Sequence, residues 1–517
     1  ICVNDLCEWF VWMICVNDLC DIFKNYFIPI LNKQLISKKN WWVLIYYTKT
    51  DYGNKYNMKS NILFIGIDSF RADKCFGKNK SSKTPNIDRL IENGVYFDQH
   101  ISVSDGSYTC MGAVFTSQYP FQSGITTVSA YSQSTKIFDK FREAGYKLYG
   151  TAPCTPFFIN LLDSFDEKEN FSKPGYLYPL EENSKESRTG EMILERLDRI
   201  KDGEIKEPWF YFIFLTDLHR SVKYGIPKEY YTDEFGKTDY DKMVSALDIW
   251  IGKFLERIDL ENTLVILTSD HGEFIPTPKI GHELTYISEL FEPGKIMKEK
   301  TPKFLHGIYS NGYRFLRYFA IPIKNRKYKK ELTSIEQKSL NTRGHSSLWI
   351  LPDDTVKTPL IFSGNIIKNK NKIIKQQIGS IDILPTIADI LSIDFDFEKA
   401  EGRSILPLIN GENLEEKPIF IENAVRRNPT KAGNCIGVRT SDFKYYRARN
   451  NSKKKVCLYN LKDDPDEIVN IASERKDIVE KMEKLLEDIR KNSIREEEIN
   501  IKETQRIEKD LKPLGKA

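Results

Sequence analysis

Two apolar runs in this chain each break off at an acidic residue. Asn61 to Ile67 (NILFIGI) stops at Asp68, and Thr263 to Ser269 (TLVILTS) stops at Asp270-His271. In a parallel α/β sheet the carboxyl ends of the strands converge on one crevice, so residues about two hundred positions apart can meet there. Two carboxylates and an imidazole at one point repel and desolvate one another unless a cation lies between them. Taken singly, Asp68 reads equally as a turn or helix cap and His271 as a hydrogen-bonded core histidine. Taken together, Asp68, Asp270 and His271 predict a divalent metal site. A third apolar run, Trp209 to Leu215 (WFYFIFL), also ends near polar residues, Asp217 and His219.

The elements that would carry these residues alternate strand with helix, which predicts an α/β fold with a doubly wound, mostly parallel sheet. Pro85 to Asn93 reads as a helix with proline at its start and Gly94 at its end. Tyr240 to Ile258 places Met243, Leu247, Ile251, Phe254 and Ile258 at helical spacing, and it leads into the Asp270-His271 strand. Pro359 to Phe362 is a fourth strand. Near residue 425 the texture changes to short strands (Ile436 to Arg439, Lys444 to Arg447, Val456 to Tyr459). A helix follows, with Ile478, Met482, Leu485 and Ile489 on one face. The expected organisation is an upstream extension over 1–57, a catalytic domain over 58–425 and a smaller C-terminal α+β subdomain over 426–517 with a charged tail. Within the catalytic domain, 294–343 is an insertion rich in Lys, Arg and aromatic residues.

A formal net charge of +4 over 517 residues gives no reason to invoke nucleic acid. No stretch approaches the roughly 20 apolar residues of a membrane-spanning helix, and no signal peptide is visible. Four of the nine cysteines crowd the front, and the other five are scattered. That is not a disulfide framework, and it suggests a reducing, cytoplasmic setting; Cys435 and Cys457 could pair only if they lay on adjacent strands. Ile1 to Cys7 (ICVNDLC) recurs unchanged at Ile14 to Cys20. Met58-Lys59-Ser60 stands directly before the first core strand, which suggests that Met58 is the natural start.

From Met58 to about Ala472 the chain resembles the sulfatase family of the alkaline phosphatase superfamily. The resemblance rests on six blocks in the family's order: NILFIGIDSFRAD from Asn61, TPNIDRLIENG from Thr84, NTLVILTSDHGE from Asn262, DILPT from Asp382, GRSILPL from Gly402 and LYNLKDDPDEIVNIA from Leu458. It implies an alkaline-phosphatase-like sheet with Asp68, Asp270 and His271 as metal ligands. Ser69 stands where many relatives have another acidic ligand. The family's nucleophile lies in a Cys/Ser-x-Pro-Ser-Arg motif ahead of a Thr-Gly-x-Tyr-Pro block. Here the block is Thr116 to Pro120 (TSQYP), and counting back lands on Ser107, a further metal ligand and the nucleophile. Both the proline and the arginine of that motif are missing, and so is the family's Gly-Lys-Trp-His-Leu-Gly signature.

The departure has chemical weight. Relatives make a formylglycine from the motif residue, and its second hydroxyl lets a sulfated intermediate collapse. An unmodified, metal-bound serine suits phosphorus at least as well. As a plain structural feature Ser107 would be a helix N-cap, which is compatible with catalysis because a helix start stabilises anions. Cys110 is a competing nucleophile. By resemblance, His219 contacts the non-bridging oxygens of the ester and His345, in Gly344-His345-Ser346-Ser347-Leu348, protonates the leaving oxygen. His282 is the alternative for that second role, and, with the family's signature missing, Lys279 or the basic segment over 294–343 helps hold the head group.

The resulting expectation is a hydrolase of a sulfuric or phosphoric ester, with a sulfated or phosphorylated glycan as substrate. One divalent ion serves it, Ca, Mg or Mn by ligand type, with Zn also compatible. The rivals are a phosphotransferase or phosphodiesterase acting on a glycan or lipid head group, and a non-catalytic protein that binds an anionic glycan. Oligomeric state is not legible.

Overall fold

The computed structural model describes residues 59–126, 136–171, 176–178, 189–223, 225–273, 351–394, 400–424 and 434–491. The chain divides into two compact units, Ile1–Lys59 and Ser60–Ala517, and all described elements belong to the second. The extension over 1–57 with its repeat, the insertion at 294–343, and Lys279, His282 and His345 lie outside the described residues.

In chain order the strands are β1 (Asn61–Ile67), β2 (Gly94–Phe97), β3 (His100–Ile101), β4 (Lys147–Pro153), β5 (Glu167–Phe171), β6 (Trp209–Leu215), β7 (Thr263–Ser269), β8 (Lys357–Thr358), β9 (Leu360–Ser363), β10 (Lys372–Ile374), β11 (Ile378–Gly379), β12 (Ile419–Glu422), β13 (Cys435–Arg439), β14 (Phe443–Ala448) and β15 (Cys457–Asn460). The helices that matter for the site are α1 (Pro85–Glu92), α2 (Ser107–Thr116), α3 (Asp217–Lys223), α4 (Asp239–Leu255) and α5 (Lys476–Arg490).

Among the described residues these strands form three sheets. The largest runs β10-β2-β9-β7-β1-β6-β4-β5. Its centre is parallel, with β1 paired in register to β6 on one side and to β7 on the other, while β9 runs antiparallel to both β2 and β7. The mostly parallel α/β architecture expected from the sequence is therefore present.

Every residue of β1, β6 and β7 is buried, which explains why these strands read as unbroken apolar runs. Alternate side chains enter different cores. Ile62, Phe64, Phe210, Phe212, Phe214, Leu264 and Ile266 face one core. Leu63, Ile65, Tyr211, Ile213, Val265 and Leu267 face the other, where α4 contributes Met243, Leu247, Ile251 and Phe254. Each such large side chain contributes about 1.5–3 kcal/mol by burial, so the two cores hold the carboxyl ends of the central strands rigidly.

Two helix boundaries differ from the sequence reading. α4 stops at Leu255, with Glu256 as its cap. α1 stops at Glu92 with Asn93 as cap, and Gly94 is the first residue of β2, not a helix terminator. A Cβ there would lie 2.2 Å from the Phe362 carbonyl oxygen, so the glycine serves the close approach of β2 to β9.

The C-terminal subdomain is an antiparallel sheet, β12-β13-β14-β15. α5 packs on it through buried Met482 and Leu486, with Ile478, Leu485 and Ile489 partly buried alongside. Cys435 and Cys457 sit on β13 and β15, with β14 between them, and no disulfide joins them. The joint with the main sheet is a buried charge cluster. Asp353, just before β8, accepts from Arg439 Nη2 at 2.7 Å and from Lys444 Nζ at 2.8 Å. Arg439 also donates to Gln377 and Gln99. Burial opposes ionisation of Asp353, but the two cations hold its carboxyl well below the usual carboxylate range.

Removing that carboxylate strands the buried Arg439 guanidinium and leaves Lys444 with Glu467 alone, at 3.0 Å. Asp353→Ala is expected to cost about 3–5 kcal/mol in urea unfolding at neutral pH. Because the folded carboxyl titrates below its unfolded counterpart, the stabilisation is complete above roughly pH 4 and is lost as pH falls further. The gap between wild type and variant should therefore close on acidification.

Candidate functional site

The site lies where β1 and β7 end side by side. Ile67 pairs with Ser269, so the next residues, Asp68 and Asp270-His271, leave the sheet together. Asp68, Asp270 and His271 are all buried, and one ligand atom from each lies within 4.8 Å of the others.

The turn after β1 is specified by its neighbours. Ser69 adopts a left-handed conformation, φ 65°, at a cost of about 1–2 kcal/mol. In return its N–H donates to Asp270 Oδ1 at 3.0 Å, and its hydroxyl donates to Asp68 Oδ1 at 2.9 Å. Tyr240, at the start of α4, holds the same turn by donating to the Ser69 carbonyl at 2.6 Å and accepting from the Arg71 N–H at 3.0 Å. Ser69 thus stands in the site as a hydroxyl that buttresses Asp68.

The electrostatics are those of a cation site. Asp270 Oδ1 is committed to two backbone amides, those of Ser69 and His271, whereas Oδ2 is buried with no hydrogen-bond partner. Burial, and repulsion from Asp68, push the Asp270 carboxyl above its ordinary value. Burial works against charge on His271, yet Asp270 and Asp68 together push it up to about 9. Without another cation the imidazole carries the positive charge that two buried carboxylates demand. An orphaned carboxylate oxygen, a second carboxylate and a ring nitrogen converging in a dry pocket fit a divalent ion.

Ser107 is the first residue of α2, and Gly106 is the cap, one position away from the N-cap reading. Its Oγ lies 3.4 Å from His271 Nε2, so the hydroxyl is aimed at the cluster from a helix start. Cys110 is not a rival: its thiol is buried, donates to the Ser104 carbonyl at 3.1 Å, and is pushed well above its usual range by burial. Met111, where the family motif has arginine, is packed in the apolar core.

His219, in the first turn of α3, also reaches the cluster. Its Nε2 is 3.4 Å from Asp68 Oδ1 and its Nδ1 is 3.5 Å from Glu273 Oε2. Glu273, buried at 1 % exposure, is a neighbour that sequence reasoning passed over. Its only signal was its place two residues after His271, which equally suits a helix cap. Arg71 was passed over as well. It is buried, pairs with Asp73 and Asp354 at 2.7 Å each, and braces the loop that carries Glu273 by donating to its carbonyl at 3.4 Å.

Residues 60–393 match the Sulfatase family model, and 348–492 match the model for the C-terminal region of N-sulphoglucosamine sulphohydrolase. The chain belongs to the sulfatase family. It is 27 % identical over 217 residues to an uncharacterized protein of Haemophilus influenzae, a stretch covering 41 % of this chain and 32 % of that one. It is 38 % identical over 77 residues to human arylsulfatase H, covering 15 % and 13 %. The matched stretch thus spans a third or less of these curated relatives. Among solved structures, the phosphonate monoester hydrolase of Agrobacterium radiobacter shares the fold with a TM-score of 0.59 at 15 % identity, over 84 % of this chain and 96 % of that one. Among the described residues no helix is long and apolar enough to cross a membrane.

The cluster predicts linkage between cation binding and stability. A divalent ion at about 100 times its Kd should stabilise the protein by about 2.7 kcal/mol, read as a rise in melting temperature. In Asp270→Asn that rise should disappear.

Proposed function

We propose that this chain is a hydrolase of a sulfuric or phosphoric ester, with Ser107 as nucleophile. The observation that carries the reading is the convergence of the Ser107 hydroxyl, at the start of α2, on Asp68, Asp270 and His271. A divalent ion held by those three residues, with Ca, Mg, Mn and Zn all compatible with the donors, would supply positive charge opposite the transferred group and make the serine hydroxyl more acidic. The N–H groups of the first turn of α2 add further positive potential for an anionic substrate.

In the proposed cycle the Ser107 hydroxyl gives its proton to water and its oxygen attacks sulfur or phosphorus in line. The alcohol oxygen departs and takes up a proton, the role expected of His345. Water then cleaves the serine ester, releasing sulfate or phosphate and restoring the hydroxyl. His219, held between Asp68 and Glu273, would steady a non-bridging oxygen, and Lys279 would assist with the head group. The absence of the motif proline and arginine, with Met111 buried in the core instead, supports an unmodified serine and tilts the reading toward phosphoryl chemistry. The match to the C-terminal model of N-sulphoglucosamine sulphohydrolase supports an anionic glycan as the ester's alcohol.

Turnover of p-nitrophenyl phosphate and p-nitrophenyl sulfate tests the proposal. Ser107→Ala is expected to lower kcat at least about 1,000-fold, and Asp270→Asn similarly. Intact-mass analysis of Ser107 then separates formylglycine from unmodified serine or trapped phosphoserine. Binding of a sulfated glycan with no turnover, unchanged in Ser107→Ala, would replace the hydrolase with a non-catalytic glycan-binding protein.

A further inference from the structure

The loop that delivers Ser107 is gripped from two sides. On the site side the Ser102 N–H donates to the Val356 carbonyl at 2.7 Å, and the Ser102 hydroxyl donates to the backbone carbonyl of Asp270. On the other side the loop runs along the end of β12, in the C-terminal sheet. The Glu422 N–H donates to the Val103 carbonyl at 2.9 Å, and Ser104 and Glu422 form a parallel bridge.

The grip ends on a side chain that the proposed mechanism does not use. Asp105, two residues before the nucleophile, is 2 % exposed. Its Oδ1 accepts the Ala424 N–H at 2.6 Å, and its Oδ2 accepts from Asn423 Nδ2 at 3.2 Å. Asn423 is itself fixed: its Oδ1 accepts the Cys435 N–H at 3.1 Å, and its own N–H donates to the Cys435 carbonyl at 3.1 Å. A buried carboxylate bonded to an amide and a backbone N–H of the C-terminal sheet is a directional constraint, and it transmits the position of β12 and β13 to the first turn of α2.

We propose that Asp105 and Asn423 are positioning residues through which the C-terminal sheet sets the place of Ser107. The inference rests on the reading of Ser107 as the nucleophile. The loop meets the Asp270 backbone on one face and the C-terminal sheet on the other, so releasing the second contact lets Ser107 shift relative to the cluster. A displacement near 1 Å costs on the order of 100-fold in rate.

The test compares Asn423→Ala and Asp105→Asn with Glu483→Gln, a control in the same subdomain that loosens the Tyr445 and Arg447 contacts of α5 far along the chain from the loop. Asp105→Asn is isosteric and leaves one acceptor oxygen for two donors, the Ala424 N–H and Asn423 Nδ2, so it tests the contact where Asn423→Ala fails to fold. With p-nitrophenyl phosphate, both loop variants are expected to lose about 10- to 100-fold in kcat with KM within about twofold. The control is expected to keep wild-type kcat at a comparable drop in melting temperature. In hydrogen exchange, a peptide covering 102–110 should gain deuterium in the loop variants and not in the control, while one covering 263–273 stays unchanged. Wild-type kcat in both loop variants, or unchanged exchange over 102–110, would overturn the proposal. A wild-type protein without turnover would instead defeat the ester-cleavage reading, and the exchange comparison would still decide whether the C-terminal sheet holds the Ser107 turn.

Discussion

Two carboxylates and an imidazole are forced together where β1 and β7 run out, in a crevice that excludes water. Asp270 and His271 are fully buried and Asp68 nearly so. In bulk water the repulsion between two carboxylates a few ångströms apart is mild, and in a dry site it is several times larger. The folded chain therefore carries an electrostatic cost at this point, together with the left-handed backbone at Ser69. Such a cost persists because the surrounding structure over-determines it. The central strands are locked from both faces by apolar side chains, and each backbone turn at the strand ends is held by named hydroxyls, Ser69, Ser269 and Tyr240.

The same logic extends outward through one short segment. Asp353 and Asp354 are consecutive, yet they point into different charge clusters. Asp353 binds Arg439 and Lys444 of the C-terminal sheet, while Asp354 binds Arg71 beside the site. A buried ion pair adds little net stability over an apolar pair of the same size, but breaking one is costly. Its value here is directional: it fixes the register between the strand-end loops and the antiparallel sheet. Arg71 then braces the loop that places Glu273 against His219.

The departures from the family pattern have a consistent physical expression. Where the motif would set an arginine into the site, this chain buries Met111 in the core, and the turn of helix that follows Ser107 is almost wholly apolar, with Cys110, Met111, Ala113, Val114 and Phe115 buried. Among the described residues, positive potential at Ser107 therefore comes from the start of α2, and not from a motif side chain.

The apolar runs, their acidic ends and the alternation of strand with helix were readable in the linear chain, because fully buried parallel strands and helical faces leave periodic signatures. Asp68, Asp270, His271 and His219 were accordingly found at strand ends, and Ser107 was found by its distance from TSQYP. The family signatures named the fold. Tertiary structure alone decided which of these groups meet. It turned Cys110 into the core, placed Gly94 where β2 passes β9, brought Glu273 and Arg71 to the site, and joined Asp105 to Asn423 behind the loop that carries Ser107. Those residues act through contacts between segments hundreds of positions apart, and a contact of that kind has no period, cap or spacing in sequence by which it could be recognised.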